Sequence, residues 1–594
     1  MDAARFRPCF FESFPLEEGE FLARFSAGDE WARLGAADHQ ALSAWSDYQS
    51  LQEAAASSGR PLTELRAWAK QGRLWREADL PRTCARPDSG SPVSICAIGM
   101  TTRDRRDAVR RAVLSFGNNA LDAGRMPEMI LIDDSADPLE QARNQAVMDG
   151  LAREIALPLR YSGRPEREAF AVELAGLAEV PLDVAQFALF GDQDCSNTTG
   201  AARNSLQLDC AGAAYLLIDD DSACRPSSAP DRKPGLALTS ETNPSRLWFF
   251  KDREEELAAV PVEEEDHLGA HEELLGRDIG SLAAEAESLT LDALTAETEA
   301  NLRRDGGRVR ATMGSFYGDS GFESTAFLWL DRASIERLTA SEETWSAAVE
   351  NRRLFRAVPR KTIAPGRLCI GADLAVDART TPPPFIPVQR NSDRMFTVTL
   401  RAAYPTAYTG YLPTAFHHDP LEARKSKVET YWSMQRSPRL PDIIAYWLYS
   451  APVPPAGLSG DERLVRLGEW MREAASLPQH EFDVRIRRRA LEKYASGLRA
   501  DPSHGDDGLP EFYARLRRKL RAEAAKGIET GECAVPRDLP GESPAARQAK
   551  GRELTGKVAA LFEAWPALFA AAVELRRRER RLSRPVSKRA RTMV

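Results

Sequence analysis

Ala214-Tyr-Leu-Leu-Ile-Asp-Asp-Asp-Ser222 is an apolar run that stops abruptly at three carboxylates. Such a short, β-rich run predicts a strand over Tyr215 to Ile218, covered on both faces. Side chains alternate along an extended chain, so Asp219 and Asp221 project to one side and Asp220 to the other. Carboxylates crowded at a strand end repel one another unless something positive lies between them. A hard divalent ion, Mg²⁺ or Mn²⁺, takes one or two carboxylates and keeps positions open for phosphate oxygens. Surface loops also carry acidic triplets, so the neighbouring segments decide what this one means.

Outward from the triplet, the same pattern recurs. Val93-Ser-Ile-Cys-Ala-Ile-Gly99 predicts a strand that leads to Thr101-Thr-Arg103, and Arg103 to Phe116 is helical in type. Met129-Ile-Leu-Ile132 predicts a second strand, ending in Asp133-Asp134, and Phe187 to Phe190 a third. Strands alternating with helical segments predict an α/β sheet with crossover connections. Ligands bind outside the carboxyl ends of such strands. Three polar clusters at predicted strand ends therefore predict one pocket.

With 594 residues the chain is too long for one ordinary core and predicts two to four domains. A composition of 43% hydrophobic and 28% charged residues is that of a soluble globular protein. No apolar run approaches the length expected of a bilayer span, and Met1-Asp-Ala-Ala-Arg-Phe-Arg7 has no secretory apolar core. The cysteines are scattered, with no Cys-x-x-Cys pair, which argues against a zinc site or a disulfide framework and fits a reducing cytoplasm.

The net charge of −8 is unevenly spread, with an acidic insertion at about 250–300 and nine basic residues in the last twenty. That basic tail reads as a solvated terminus, so no nucleic acid partner is expected.

Residues 1–85 read as a helical N-terminal segment, from the spacing in Glu20-Phe-Leu-Ala-Arg-Phe25 and Leu62-Thr-Glu-Leu-Arg-Ala-Trp68. Pro81 to Pro92 reads as a linker. Residues 421–594 read as a helical accessory domain with long charged stretches at Asp461–Ala475, Glu481–Leu498 and Glu511–Ala525. Gly551–Arg580 keeps helical spacing despite Pro566.

Taken in order, Val93-Ser-Ile-Cys-Ala-Ile-Gly-Met-Thr-Thr-Arg103, Met129-Ile-Leu-Ile-Asp-Asp-Ser135, Thr199-Gly-Ala-Ala-Arg-Asn204 and Tyr215-Leu-Leu-Ile-Asp-Asp-Asp221 resemble the family-2 glycosyltransferases. Pro382 to Phe396 resembles the region that carries the family's catalytic acid, and Phe416-His-His-Asp-Pro420 its late histidine. The resemblance spans residues 93–420 and implies a GT-A nucleotide-sugar fold. It implies that Thr101 and Arg103 lie near the nucleotide and that Asp133 or Asp134 accepts a hydrogen bond from the base. Arg203 would stand beside the diphosphate or the base, and Asp219, with Asp220, would face the donor. Asp221 would bind Mn²⁺ or Mg²⁺, with His418, or else His417, completing the shell. Asp393 would be the general base, with Asp373 and Glu323 as competitors, because Ser392 stands where the family often has Glu. The implied donor is a nucleoside diphosphate sugar, by family habit a uridine diphosphate sugar. The acceptor stays open between glycan, peptide and small molecule.

Two alternatives remain at this stage. A nucleotidyltransferase also uses paired carboxylates and a metal, but no Gly-rich, lysine-bearing loop follows the first strand. A non-catalytic scaffold on the same fold would keep the pocket without needing Asp393. His267 and His271, four apart in an acidic stretch, read as part of a solvated helix. Tyr446-Trp447 and Tyr449, near Tyr431-Trp432, read as core aromatics in preference to a platform stacking on a sugar or a partner.

Overall fold

The computed structural model of the protein describes residues 4–86, 93–291, 293–319, 330–366, 369–422, 434–455, 457–499 and 508–587. A large mixed sheet dominates. Its central strands, labelled in chain order, are β1 (Ile95–Thr102), β2 (Glu128–Asp133), β3 (Leu159–Ser162), β4 (Ala214–Asp219), β5 (Arg308–Asp319), β6 (Asp373–Asp377) and β7 (Ala407–His418). They lie side by side as β3-β2-β1-β4-β6-β5-β7. Strands β1 to β4 run parallel, β6 runs antiparallel between β4 and β5, and β7 is parallel to β5.

Burial on both faces explains the unbroken apolar runs. Tyr215 and Leu217 enter one core layer, Leu216 and Ile218 the other. Each such side chain contributes roughly 1.5–3 kcal/mol by leaving water. Gly99 in β1 has a packing reason: a Cβ there would lie 2.2 Å from the Leu206 side chain. The helix Thr199–Asp209 can therefore press directly on the sheet, which fixes the position of Arg203.

Three expectations are corrected. The N-terminal segment is not simply helical. Two three-stranded sheets precede the core, and Glu20–Phe25 is the middle strand of one. Phe21, Ala23 and Phe25 alternate along it and turn inward, a period that so short a run shares with a helix. Leu62–Lys70 is helical as expected. Phe187 to Phe190 belongs to the helix Leu182–Phe190, and the third strand is β3, which comes earlier in the chain. Part of the expected linker, Leu80–Cys84, is a helix; residues 87–92 of it lie outside the described residues.

The acidic insertion is also less solvated than its composition implies. Glu256, on the helix Arg253–Ala259, is fully buried and accepts a hydrogen bond from Arg353 at 2.7 Å. All eight cysteines are free thiols.

Four long helices, Gly460–Ser476, Gln479–Arg499, Glu511–Thr530 and Pro544–Arg577, build the C-terminal region. The last, of 34 residues, is long and apolar enough to cross a membrane by those measures alone. Just over half of its apolar stretch is buried inside the protein. Trp565 is fully enclosed there and donates its indole N–H to the Pro382 carbonyl at 2.7 Å. One buried apolar cluster runs from β4 through the helix Ser392–Ala403 into these helices.

The chain finally returns to the sheet edge. Arg584–Pro585 pairs antiparallel with β3, and the Val586 amide donates to the Leu159 carbonyl at 2.9 Å. Arg581 bonds Asp209 at 2.8 Å and Glu128 at 2.6 Å.

Candidate functional site

From β1 the chain winds to β2 and β3 on one side, while β4 lies on the other. This reversal is a topological switch point, where the carboxyl ends of neighbouring strands open a crevice. Thr101 at the end of β1 is in register with Asp219 at the end of β4. The acidic triplet therefore stands at the mouth of the crevice.

Each carboxylate of the triplet meets a different partner. Asp219 accepts from Arg203 at 3.1 Å. Asp220 accepts from the Thr102 hydroxyl at 2.7 Å and from Arg105 at 3.0 Å. Asp221 accepts from the same Arg105 nitrogen at 3.2 Å and lies 3.1 Å from His418 Nε2. One guanidinium thus serves two carboxylates that are both buried. Burial, followed by the charge of Asp221, raises the Asp220 carboxyl to about 6 despite Arg105. Burial also raises Asp219, against the pull of Arg203. The cluster is short of positive charge.

His418 ends β7 and is oriented from behind, its Nδ1 lying 2.6 Å from the Asp319 carbonyl oxygen. A carbonyl only accepts, so Nδ1 carries the hydrogen and Nε2 faces Asp221. Burial lowers the imidazole pKa, but the hydrogen bond to Asp221 and its charge outweigh burial and raise it. A histidine whose far nitrogen donates to a carbonyl is arranged as a metal ligand is. Two donor atoms about 3 Å apart suit adjacent positions on an octahedral ion with bonds of about 2.1 Å. The residues present therefore fit a divalent cation at Asp221 and His418.

Arg203 joins the triplet to the expected base. Its guanidinium reaches Asp219, donates to the Ser392 hydroxyl at 3.1 Å and lies 3.7 Å from Asp393. Gly371 makes room, since a Cβ there would lie 2.4 Å from the guanidinium. Asp393, in the first turn of Ser392–Ala403, accepts from the amides of Gly371 and Arg394, both at 2.9 Å. It retains 22% side-chain exposure, so it is reachable from solvent.

The remaining expected residues divide. Asp134 accepts from Arg167 at 2.8 Å and also from Thr198, and keeps 15% side-chain exposure. Asp133 is fully buried and occupied by Ser135, Asn144 and Tyr161 at 2.9–3.0 Å, so it shapes the loop rather than facing a ligand. Arg103 is exposed and donates to the Ser196 carbonyl at 3.2 Å. His417 points the other way from His418, bonding Glu256 at 3.1 Å and stacking on Tyr317. Asp373 is buried beneath the sheet between His267 and His271, which excludes it as a base for an acceptor. The two histidines are buried as well, not on a solvated helix face. Glu323 and Tyr431-Trp432 lie outside the described residues.

Sequence reasoning missed Thr102, Arg105, Arg111 and Arg253. Arg111 lies 3.4 Å from both the Asp221 carbonyl and the Asp419 carboxylate, and Arg253 meets Asp419 at 2.6 Å. A signal was present: Arg103, Arg105 and Arg106 crowd the start of the helix Arg106–Asp122, the end where the helix dipole disfavours cations. Arginines there imply acid nearby. The chain matches no established family profile, no curated protein and no solved structure.

Proposed function

We propose that the chain is a metal-dependent glycosyltransferase of GT-A type, moving a sugar from a nucleoside diphosphate donor to an acceptor hydroxyl. The observation that carries this reading is the meeting of Asp221 and His418, 3.1 Å apart, at the switch point between β1 and β4. Hydrogen-bonding of His418 Nδ1 to a carbonyl gives its Nε2 no protein role except toward Asp221 or a cation. A Mn²⁺ or Mg²⁺ ion at these two residues would neutralise charge on the departing diphosphate as a Lewis acid.

The chain's own groups supply the rest. Asp134 and Thr198 line the β2 side, where a base would be recognised. Arg203 orients the Asp219 carboxylate toward ribose or sugar hydroxyls. Asp393 accepts the proton from the acceptor hydroxyl as the new bond forms. A single direct displacement inverts the anomeric centre, and a uridine diphosphate sugar is the donor the resemblance favours.

The scaffold reading has one observation in its favour. Both Asp393 oxygens already accept from backbone amides, which leaves fewer lone pairs for a substrate. The deciding experiment is calorimetric titration with a panel of nucleoside diphosphates, with and without Mn²⁺, on the native chain and on Asp221→Ala. Metal-dependent binding that the variant loses supports the donor pocket. Absence of binding to every nucleotide under both conditions overturns it. Donor hydrolysis or transfer that Asp393→Asn abolishes, with binding intact, separates enzyme from scaffold.

A further inference from the structure

Beneath the triplet, on the opposite side of the strand ends, lies a second group of ligating side chains. His267 and His271 are four apart on the helix His267–Glu272, so both rings project from one face. Their Nε2 atoms lie 2.8 and 3.2 Å from the two oxygens of Asp373, the first residue of β6. One donor atom from each residue falls within 4.8 Å of the others, and none of the three is more than 1% exposed.

The surroundings hold these groups in place. His271 Nδ1 meets the Thr312 hydroxyl at 2.8 Å. Asp266 caps the helix by accepting from the Gly269 amide at 3.0 Å. Arg125 clamps both ends of the turn, through Asp266 at 2.8 Å and Glu272 at 2.7 Å. On β5, Gly314 gives the carboxylate its space: a Cβ there would lie 1.9 Å from an Asp373 oxygen.

We propose that His267, His271 and Asp373 form a buried zinc-type metal site, separate from the hard-cation site at Asp221. Two imidazoles and one carboxylate select a borderline ion such as Zn²⁺ over Mg²⁺. Ligand atoms in a tetrahedral zinc site stand about 3.3 Å apart, given bonds of about 2.0–2.1 Å, and the three donor atoms, all within 4.8 Å of one another, need only small side-chain shifts to reach it. The Thr312 hydroxyl accepts from His271 Nδ1 and so turns the Nε2 lone pair toward the ion, as outer-shell partners of metal-bound histidines do.

A divalent ion would add to the compensation that the imidazoles already give the buried Asp373 carboxylate. Among the described residues Asp373 has only the two imidazoles as side-chain partners, and a buried carboxylate is costly unless compensated. His267 Nδ1 is buried without a protein partner in either state and does not distinguish them. All three ligands are buried, so the ion would lie out of a substrate's reach, its fourth position left to a buried water. It ties the insertion helix to β6, where Asp373 is in register with Ile218, the residue before Asp219.

The test is metal analysis of the full chain, purified without a histidine tag and without added metal. We expect about one zinc or similar d-block ion per chain, retained by Asp221→Ala and lost by the His267→Asn/His271→Asn double variant. No such ion at stoichiometric level overturns the site. So does an ion that the double variant keeps, or one that Asp221→Ala removes. X-ray absorption of the native, metal-loaded chain guards against a double variant that does not fold. Scattering from two imidazoles with oxygen and no sulfur supports the assignment; a sulfur shell, or one without imidazole, overturns it.

Discussion

His418 Nε2 lies 3.1 Å from the Asp221 carboxylate while its Nδ1 is tied to the backbone carbonyl of Asp319. The end of β7 is thereby locked onto the loop that follows β4. Removing the imidazole removes the proposed second ligand and leaves the carboxylate. His418→Ala is expected to weaken Mn²⁺-dependent nucleotide binding by at least the roughly 10–100-fold that loss of an outer-shell partner costs, as measured by calorimetry. Binding unchanged by His418→Ala would place the cation elsewhere.

Arg105 holds the place between Asp220 and Asp221 that a cation would share. Arg105→Gln is expected to tighten Mn²⁺ binding in the absence of nucleotide, because a competing positive charge is gone. The guanidinium is about half exposed, so the stability cost is only about 1 kcal/mol. Manganese titration followed by electron spin resonance reads the first effect, and urea unfolding reads the second. Weaker Mn²⁺ binding would mean that Arg105 organises the carboxylates rather than competing for them.

Arg203 is buried and shared between Asp219 and Asp393. Arg203→Met leaves both carboxylates without their cation. Breaking a buried pair by removing one partner costs about 3–5 kcal/mol, and less where a partner keeps some water, as Asp219 does. Chemical denaturation should show a loss toward the lower end of that range. A neutral result would exclude Arg203 as the organiser of the site.

Asp192 ties the last long helix to the loop after Leu182–Phe190, through Lys557 at 2.6 Å and Lys550 at 3.1 Å. Burial raises its carboxyl pKa, but hydrogen bonds from Lys557, the Asp194 amide and Lys550 outweigh burial and lower it below 3.8. A group depressed on folding stabilises fully above its unfolded value, and that contribution fades as pH falls through the folded value. Asp192→Asn should cost about 1–2 kcal/mol at pH 7, discounted for the exposure of Lys557. The gap between variant and native chain should close below about pH 4. A gap independent of pH would exclude the charge as its source.

Trp565 tests whether the C-terminal helices belong to the core. Trp565→Ala removes a fully buried side chain and leaves the Pro382 carbonyl unpaired, at a cost of about 3–5 kcal/mol. One cooperative unfolding transition shifted as a whole is expected. Loss of a separate, early transition would show that the helices unfold alone.

The strand ends were legible because an apolar run stopping at polar residues is a local signal, readable at β1 (Thr101-Thr-Arg103) and, as acid, at β2 and β4 without knowledge of the fold. What escaped depends on distance along the chain. Arg203 and Asp393 meet across 190 positions, and nothing local to Ser392 announces that contact. His267 and His271 looked solvated because Glu263 to Asp266 and Glu272-Glu273 surround them, yet one turn of helix suffices to bury one face. Glu20–Phe25 was misjudged because six residues do not separate a period of two from one of 3.6. Asp133 and Asp134 share one motif, and only the packing of Asn144 and Tyr161 tells them apart.

The edge pairing between Arg584–Pro585 and β3 sets an order in time. A ribosome making about 5–20 residues per second finishes β3 tens of seconds before it reaches Arg584. Throughout that interval the outer strand of the sheet on the β3 side stands open, its amides and carbonyls free to recruit a strand from another chain. The nascent protein is therefore most prone to aggregate late in synthesis, when the core is complete and its clasp has not emerged.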